Sequence, residues 1–390
     1  MSVVLSLPLI FLILAAVGLL GTTWLFPILA SLLWRRKAVA TPSQILSENG
    51  ASYAPLRSLA VLIPVHNDHS ALEATLRSVQ DAAERALADF PYLQFSICVG
   101  ADGCTDGSVQ TARSFGVDLV ITNRRRGKWQ TLSDLIERYD SFDWIALADA
   151  GAIWPQDLLL RCLPLCQVAD LVALAPSYRD PTGGWLSNLT WRIESYFKKL
   201  ECRAGGPVSL HGATVLYRRD ELTKAITVLS RRRWLNDDVV LPLTLRLQNP
   251  EKRIVYLPDL HVSEYAPASP LSRNREFVRR RRLVIGNLEW MKMLLPSAAK
   301  TDYVVGLLAL RRIFRMLWAY WGIFVFGGLL TAMASSVFLS LSVTAGICLG
   351  AVALRLKAGG MGHILAAAQA SLLAPYYFYK QTYLPVMEWK

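Results

Sequence analysis

The 390-residue sequence predicts an α/β domain, a mostly parallel sheet with helices on both faces, carried between apolar helical segments at the two ends. Three observations lead to this. Strand-like and helix-like stretches alternate between Leu56 and Leu295, polar residues gather where the strands end, and both ends of the chain contain long runs without charge.

Met1 to Trp34 carries no charge, and Arg35-Arg36-Lys37 follows at once. One helix of about 20 residues crosses a bilayer. A secretory signal places its positive charge before the apolar core, whereas here the charge comes after it. Residues 1–36 therefore read as a retained anchor whose carboxyl side lies in the cytoplasm, by the positive-inside rule. Residues 37–55 read as a linker and 56–295 as a cytoplasmic α/β domain. Residues 296–315 read as a basic interfacial helix, and 316–390 as a membrane region of two or three spans. Within the last, Met316 to Leu354 is free of charge, with a turn expected near Ser335-Ser336. Arg311, Arg312 and Arg315 precede it and Arg355 and Lys357 follow it, so both flanks read as cytoplasmic. Ile364 to Tyr379 is a shorter apolar run, a third span or an interfacial helix. The hydrophobic fraction of 53% fits an integral membrane protein, with a bacterial inner or plasma membrane as the expected location.

The net charge of +12 raises nucleic acid as a partner. The basic residues cluster instead at Arg124–Arg126, Arg231–Arg233, Arg279–Arg282 and Arg311–Arg315, several of them beside apolar segments, where anionic membrane lipid is an adequate partner. No zinc-finger spacing or RNP-type aromatic motif accompanies them, and nucleic acid is set aside. The six cysteines form no disulfide framework. Cys162 and Cys166 would share a helix face but lack the further ligands of a zinc site, so reduced thiols are expected.

Inside the domain, Leu59 to Val65 is a buried strand ending at His66-Asn67-Asp68. The next segment has helical spacing, with Leu72, Leu76 and Val79 on one stripe. A second strand runs into the loop Asp102-Gly-Cys-Thr-Asp106, a short helix stops at Gly116, and a third strand follows. A helix begins at Gly127-Lys128, and a fourth strand ends at Asp149. In such sheets ligands bind beyond the carboxyl ends of the strands. No phosphate-binding glycine motif follows any strand, so P-loop and dinucleotide folds are unsupported. The strand ends carry carboxylates instead, and acids at a phosphate site imply a divalent cation.

Five segments in order resemble family 2 glycosyltransferases with a GT-A fold, over about Ala60 to Met291. The similarity is to the membrane-anchored branch that includes cellulose, hyaluronan and poly-N-acetylglucosamine synthases and ceramide glucosyltransferases. "VLIPVHND" looks like the family's opening strand and turn against the nucleoside, with Pro64, Val65 and Asn67 as donor-binding positions. "GADGCTDGS" resembles the Asp-Gly-Ser-Thr-Asp loop, which implies that Asp102 contacts the base or ribose and Asp106 supports the loop. A simple Asp/Gly turn is the competing role. "RRRGKWQTL" resembles the Gly-Lys segment, and Lys128 at a helix start could reach a phosphate; Arg124 and Arg125 read as a solvated basic run.

"IALADAGAIW" falls at the family's Asp-x-Asp metal motif. Asp149 matches the first acid, while Gly151 stands at the second and offers no ligand. The resemblance therefore implies Mg2+ or Mn2+ held by Asp149, diphosphate oxygens and water, and weak metal binding before the donor arrives. "HGATVLYRRDEL" resembles the acceptor-pocket segment, with His211, Gly212 and Ala213 as its wall. "WLNDDVVL" resembles the helix start that carries the base, which makes Asp238 the base and Asp237 its neighbour. Neighbouring desolvated carboxylates raise one another's pKa, which suits a base near neutral pH. Capping of that helix by Asn236 or Asp237 is compatible with the same reading. Arg279 and Arg282 match the family's Arg/Gln-x-x-Arg-Trp element, where guanidinium groups suit a departing diphosphate; Leu283 replaces the tryptophan of processive members. A basic helix on lipid head groups is the alternative there.

The resemblance thus implies a membrane-bound inverting hexosyltransferase that uses a nucleotide-diphosphate sugar, first of all a UDP-sugar. The acceptor would be a polysaccharide or a lipid, with a partner membrane subunit as a further expectation. Two other readings stay open, single-sugar addition to a lipid and a non-catalytic nucleotide-sugar-binding subunit.

Overall fold

The computed structural model describes residues 7–33, 42–47, 52–179, 185–230, 232–265, 273–333 and 367–380. Its centre is an eight-stranded mixed sheet in the order β3-β2-β1-β4-β7-β6-β8-β5. The strands are β1 (Ser58–Val65), β2 (Gln94–Asp102), β3 (Asp118–Thr122), β4 (Trp144–Ala148), β5 (Ala152–Ile153), β6 (Leu171–Arg179), β7 (Thr214–Arg218) and β8 (Arg253–Glu264). Every residue of β1 is buried, the pattern of a central strand covered on both faces.

Alternation along β1 explains the two layers of helices. Leu59, Val61, Ile63 and Val65 join the core that also holds Leu72, Leu76 and Val79 of α4 (His69–Asp89). Ala60 and Leu62 point the other way, into the core with Trp129, Leu132 and Leu135 of α6 (Lys128–Arg138). Strand β4 divides in the same manner, with Ala146 and Ala148 on the first side and Ile145 and Leu147 on the second. The predicted alternation of strands and helices is therefore the observed one over this half.

The sheet is less uniformly parallel than expected. Strands β3, β2, β1 and β4 run parallel, but β7 pairs antiparallel with β4, with Ala148 opposite Thr214. Strand β6 is antiparallel to β7 and parallel to β8, whose far end pairs antiparallel with β5. The reversal brings the residues entering β7 against the carboxyl end of β4, where Asp149 lies.

The remaining helices in chain order are α1 (Leu7–Thr22), α2 (Leu25–Leu33) and α3 (Pro42–Leu46), then α5 (Ser108–Ser114) and α7 (Leu158–Cys166). They continue as α8 (Trp185–Cys202), α9 (Arg219–Leu229), α10 (Asp237–Gln248), α11 (Arg273–Met293) and α12 (Leu295–Thr301). Helices α13 (Tyr303–Met316), α14 (Trp318–Met333) and α15 (Ala374–Lys380) follow. Cys162 and Cys166 are both buried on α7, and Cys98, Cys104, Cys162, Cys166 and Cys202 are free thiols, as expected.

Over the described part of the expected anchor, residues 7–33, the helix is bent into a pair. Pro27 sits in the first turn of α2 and cannot donate to a carbonyl one turn back, so the helix breaks at Thr23-Trp24. Thr22 and Thr23 take the carbonyl of Leu19 through their hydroxyls at 2.7 and 2.8 Å. No single described helix is long and apolar enough to cross a membrane; Leu9–Thr22 with Leu25–Leu33, and Tyr303–Met316 with Trp318–Thr331, reach that length only as pairs bent by 56° and 61°. The turn expected near Ser335-Ser336 and the second span to Leu354 lie outside the described residues.

The basic helix expected over 296–315 is also revised. It is two helices, α12 and α13, and Arg311 of α13 faces protein rather than lipid. Its guanidinium donates to Glu194 at 2.9 Å and to Glu201 at 3.0 Å, both on α8, and lies 4.4 Å above the Phe197 ring. Arg315 adds a second cation at 2.7 Å from Glu194. Lys198, also buried on α8, donates to the Ser209 carbonyl. Removing one partner of such a cluster strands a buried charge and costs about 3–5 kcal/mol. Arg311→Met is expected to lose that much stability, read as a lowered midpoint in thermal unfolding of the purified protein; an unchanged midpoint would show the cluster to be dispensable.

Candidate active site

Asp149 follows β4, and its backbone N–H donates to the Ala213 carbonyl at 3.0 Å. The turn closes through Ala152 N–H to the Asp149 carbonyl at 3.0 Å and Gly151 N–H to the Thr75 hydroxyl at 2.7 Å. From the neighbouring layer, Lys128 opens α6. Its ammonium lies 2.6 Å from Asp149 Oδ1 and 3.0 Å from Asp237 Oδ2, bridging the strand end and the first turn of α10. Burial alone would lower the lysine's pKa, but the two carboxylates outweigh it and hold the group raised and charged. Lys128 and Asp237 are about equally enclosed, at 16% and 15% exposure, whereas Asp149 is 42% exposed and is the acid that a ligand can reach.

Pro64, Leu147, Ala148 and Gly212 line the same cleft with these three side chains. A β-carbon placed on Gly212 would lie 3.6 Å from the Asp238 β-carbon and 3.8 Å from Asp149 Oδ2. Gly212 therefore leaves open the space between the two acids. Asp238 is held from the far side, with Arg312 of α13 at 3.4 Å from its Oδ2 and its carbonyl accepting from Leu210 N–H at 2.8 Å. Burial raises the Asp238 carboxyl above the ordinary aspartate range; Arg312 opposes this and Asp237 reinforces it.

Several predicted residues serve as scaffold for this cleft. Asp102 is fully buried, and its two oxygens accept from Arg126 N–H at 2.7 Å and Gly127 N–H at 2.6 Å. Those bonds fix the loop that delivers Lys128, and they occupy the carboxylate expected at the nucleoside. Asn67 adopts φ +51°, and its Oδ1 accepts from Thr105 N–H at 2.7 Å, which ties the β1 turn to the Asp102–Asp106 loop. Asp106 accepts from Ser108 N–H at 3.0 Å and His69 N–H at 3.1 Å, bracing the starts of α5 and α4. Partial burial pushes its carboxyl up, but these hydrogen bonds prevail and lower it. Val65 is buried, and its carbonyl accepts the Cys104 thiol at 3.5 Å.

His211 stands against Tyr256, 3.2 Å from its hydroxyl, with Trp191 edge-on at 5.1 Å between ring centres. Burial, with Lys198 near, depresses its pKa well below the usual histidine range, so the ring is neutral. Arg279 and Arg282 sit on α11 and are not among the residues lining the cleft around Lys128. The cation that does reach the acids from the second half is Arg312, which the sequence reading left among the membrane flanks. Asn236 occupies the N-cap of α10, yet its side chain makes no cap bond and reaches the Leu283 carbonyl and Asn287 of α11, both at 3.3 Å.

The residues present fit a divalent cation only with help. Among the described residues no group of three or more His, Cys, Asp or Glu gathers to hold one. Asp149 is the accessible donor, the remaining ligands would come from a diphosphate and water, and Lys128 already supplies positive charge there. Gly151, at φ +109°, has only the Ala71 β-carbon within 4 Å of a β-carbon built on it, at 3.8 Å.

A mixed sheet of this order, with an acid at the end of β4 and an acidic pair opening α10, the second helix after β7, is the arrangement of a GT-A-like nucleotide-sugar glycosyltransferase. Glycosyltransferase-like family 2 matches residues 55–283, more than half of the sequence, and the chain belongs to that family. Among solved structures it is similar to the mannosyltransferase PcManGT from Pyrobaculum calidifontis in complex with GDP-Man and Mn2+. The likeness has a TM-score of 0.65 and 17% identity, covering 96% of this chain and 99% of that one. Glucosyl-3-phosphoglycerate synthase from Mycobacterium tuberculosis, solved with Mn2+ and UDP, is similar at a TM-score of 0.40 and 17% identity over 64% of this chain and 84% of that one. No curated protein matches the sequence.

Two outcomes test this geometry. Asp102→Asn turns an amide N–H toward one of two backbone donors and is expected to cost about 1–3 kcal/mol, measured by urea unfolding. Equal stability would mean that the loop has another support. Gly151→Asp should tighten Mn2+ binding to the nucleotide-free protein, which binds weakly as wild type, at a strain cost on the order of 1–3 kcal/mol. Calorimetry that finds tight binding to the wild type would reveal a ligand other than Asp149.

Proposed function

We propose that the protein is a membrane-associated inverting glycosyltransferase that moves a sugar from a nucleotide diphosphate to a hydroxyl of a lipid or polysaccharide acceptor. One observation carries the reading: Lys128 joins Asp149 at the end of β4 to Asp237, with Asp238 next to it across the open space at Gly212. The donor diphosphate is placed at Asp149 and Lys128. A Mg2+ or Mn2+ ion there would be held by Asp149 and would neutralise charge on the leaving group. Lys128 contributes to that neutralisation from the start of α6. Arg279 and Arg282 of α11, outside the cleft around Lys128, are proposed as further partners of the departing diphosphate by the resemblance of their segment.

Asp238 takes the proton of the acceptor hydroxyl as it attacks the anomeric carbon from the face opposite the diphosphate. Its raised pKa suits the task, because a base too acidic accepts a proton poorly. Gly212 and Ala213 leave room for the acceptor, and His211, neutral and bonded to Tyr256, shapes that wall. A UDP-sugar is the first donor to test. GDP-mannose, bound in the Pyrobaculum calidifontis mannosyltransferase structure, is the second. Exposed apolar residues on α1 and α14, among them Leu20, Ile323, Phe326 and Leu330, support a membrane setting that would present the acceptor. Leu283, where processive members carry tryptophan, favours a short product over a long polymer.

Purified protein with a panel of nucleotide sugars and Mg2+ or Mn2+ should release nucleotide diphosphate. Asp238→Asn should abolish release while leaving nucleotide-sugar binding intact, and a variant of unchanged yield would refute the assignment. The rate should fall as pH drops through the Asp238 pKa, because only the carboxylate accepts the proton. That acid limb should lie above the ordinary aspartate value. A limb at or below the ordinary value would point to a different base.

A further inference from the structure

The first turn of α10 is gripped by two cations from opposite parts of the molecule. Lys128 of α6 holds Asp237 from the sheet side, and Arg312 of α13 holds Asp238 from the other. The second grip is built through α11. Asn287 Oδ1 accepts from Arg312 Nε at 3.0 Å, from Trp290 Nε1 at 3.0 Å and from Asn236 Nδ2 at 3.3 Å. One carbonyl oxygen shared by three donors cannot swing without breaking several bonds at once. Asn236 is only 2% exposed, and its carbonyl accepts the N–H groups of Val239 and Val240 at 3.1 and 3.0 Å. The backbone that starts α10 and the carboxylate of Asp238 are thus fixed by one network.

Arg312 adjoins Arg311, which is locked between Glu194 and Glu201 of α8. The seat of α13 on α8 therefore sets where the Arg312 guanidinium can reach. We propose that Arg312 is a positioning residue that orients Asp238 toward the acceptor hydroxyl and links the base to the placement of the α13–α14 pair. The role in turnover rests on Asp238 being the base. The anchoring of the α10 start by Arg312 does not, and it can be measured without turnover.

The experiment compares wild type with Arg312→Ala, Arg312→Lys and the control Arg77→Ala. Arg77 is an exposed arginine of α4 that pairs with Glu73 and lies outside the cleft, the α8–α13 ion cluster and the Asn287 network. Diphosphate release and amide hydrogen exchange at Val239 and Val240 are both followed. Arg312→Ala should lower kcat about 100-fold with donor KM unchanged, as expected for a misplaced reacting group. Added guanidinium should restore part of the rate, Arg312→Lys should restore part of it without additive, and Val239 and Val240 should lose protection. Arg77→Ala should keep both rate and protection. Three results would overturn the proposal: a normal kcat in Arg312→Ala, a loss confined to donor KM, or unaltered protection at Val239 and Val240. Should wild type release diphosphate from no nucleotide sugar, the glycosyltransferase reading fails on its own, and the exchange data still decide whether Arg312 anchors the start of α10.

Discussion

The ammonium of Lys128, placed between Asp149 and Asp237, is the contact on which the arrangement of the cleft depends. Two carboxylates brought this close would repel one another, and an interior of low dielectric magnifies the repulsion. A lysine already enclosed by α6 and the strand ends turns that repulsion into attraction and joins the two halves of the domain. Much of the surrounding loop structure serves this one side chain. Asp102 fixes the backbone that presents it, Asn67 and Thr105 tie the neighbouring loops, and Ala213 holds the backbone of Asp149.

A second set of buried charges organises the other half. Glu194, Lys198 and Glu201 on α8 meet the buried Arg311 of α13, a pairing that offsets the desolvation of Arg311 and its two glutamates, while the half-exposed Arg315 reaches Glu194 from the rim. Helix α13 therefore presents arginines inward while α14, its bent continuation, exposes apolar side chains. The chemistry of the cleft and the apolar helices meet at one residue pair, Arg312 and Asp238. A divalent ion would find Asp149 as its accessible carboxylate here, and Lys128 would carry part of the charge balance that a second acid-bound ion would otherwise supply.

Much of the parallel half was legible in the residues. The run Leu59 to Val65 alternates between two apolar layers, and the stripe of Leu72, Leu76 and Val79 names the helix that covers one of them. Asp149 was identified by its place at a strand end, and Lys128, Asp237 and Asp238 by the resemblance of their segments to family 2 glycosyltransferases; the fold brings the four together. The role of Asp102 was not legible, because an acid in an Asp/Gly loop looks the same whether its oxygens face a ligand or two backbone N–H groups. Arg311, Arg312 and Arg315 flank an apolar run, which is also how lipid-facing arginines look in sequence. Their partners, Glu194, Glu201 and Asp238, lie 74 or more positions away. The break before α2 did carry a local signal, Pro27, inside a run otherwise suited to a single helix.

By itself the sequence determined the periodicities, the apolar ends and the order of the acidic and basic positions, because these depend on neighbours within a few residues. The antiparallel insertion of β7 beside β4 was decided only by the tertiary structure, and with it the approach of Gly212 to both Asp149 and Asp238. So were the bridging position of Lys128 and the inward turn of the α13 arginines. Each depends on which distant groups share a low-dielectric space, and the cost of leaving a charge unpaired there selects one partner among many that the chain contains.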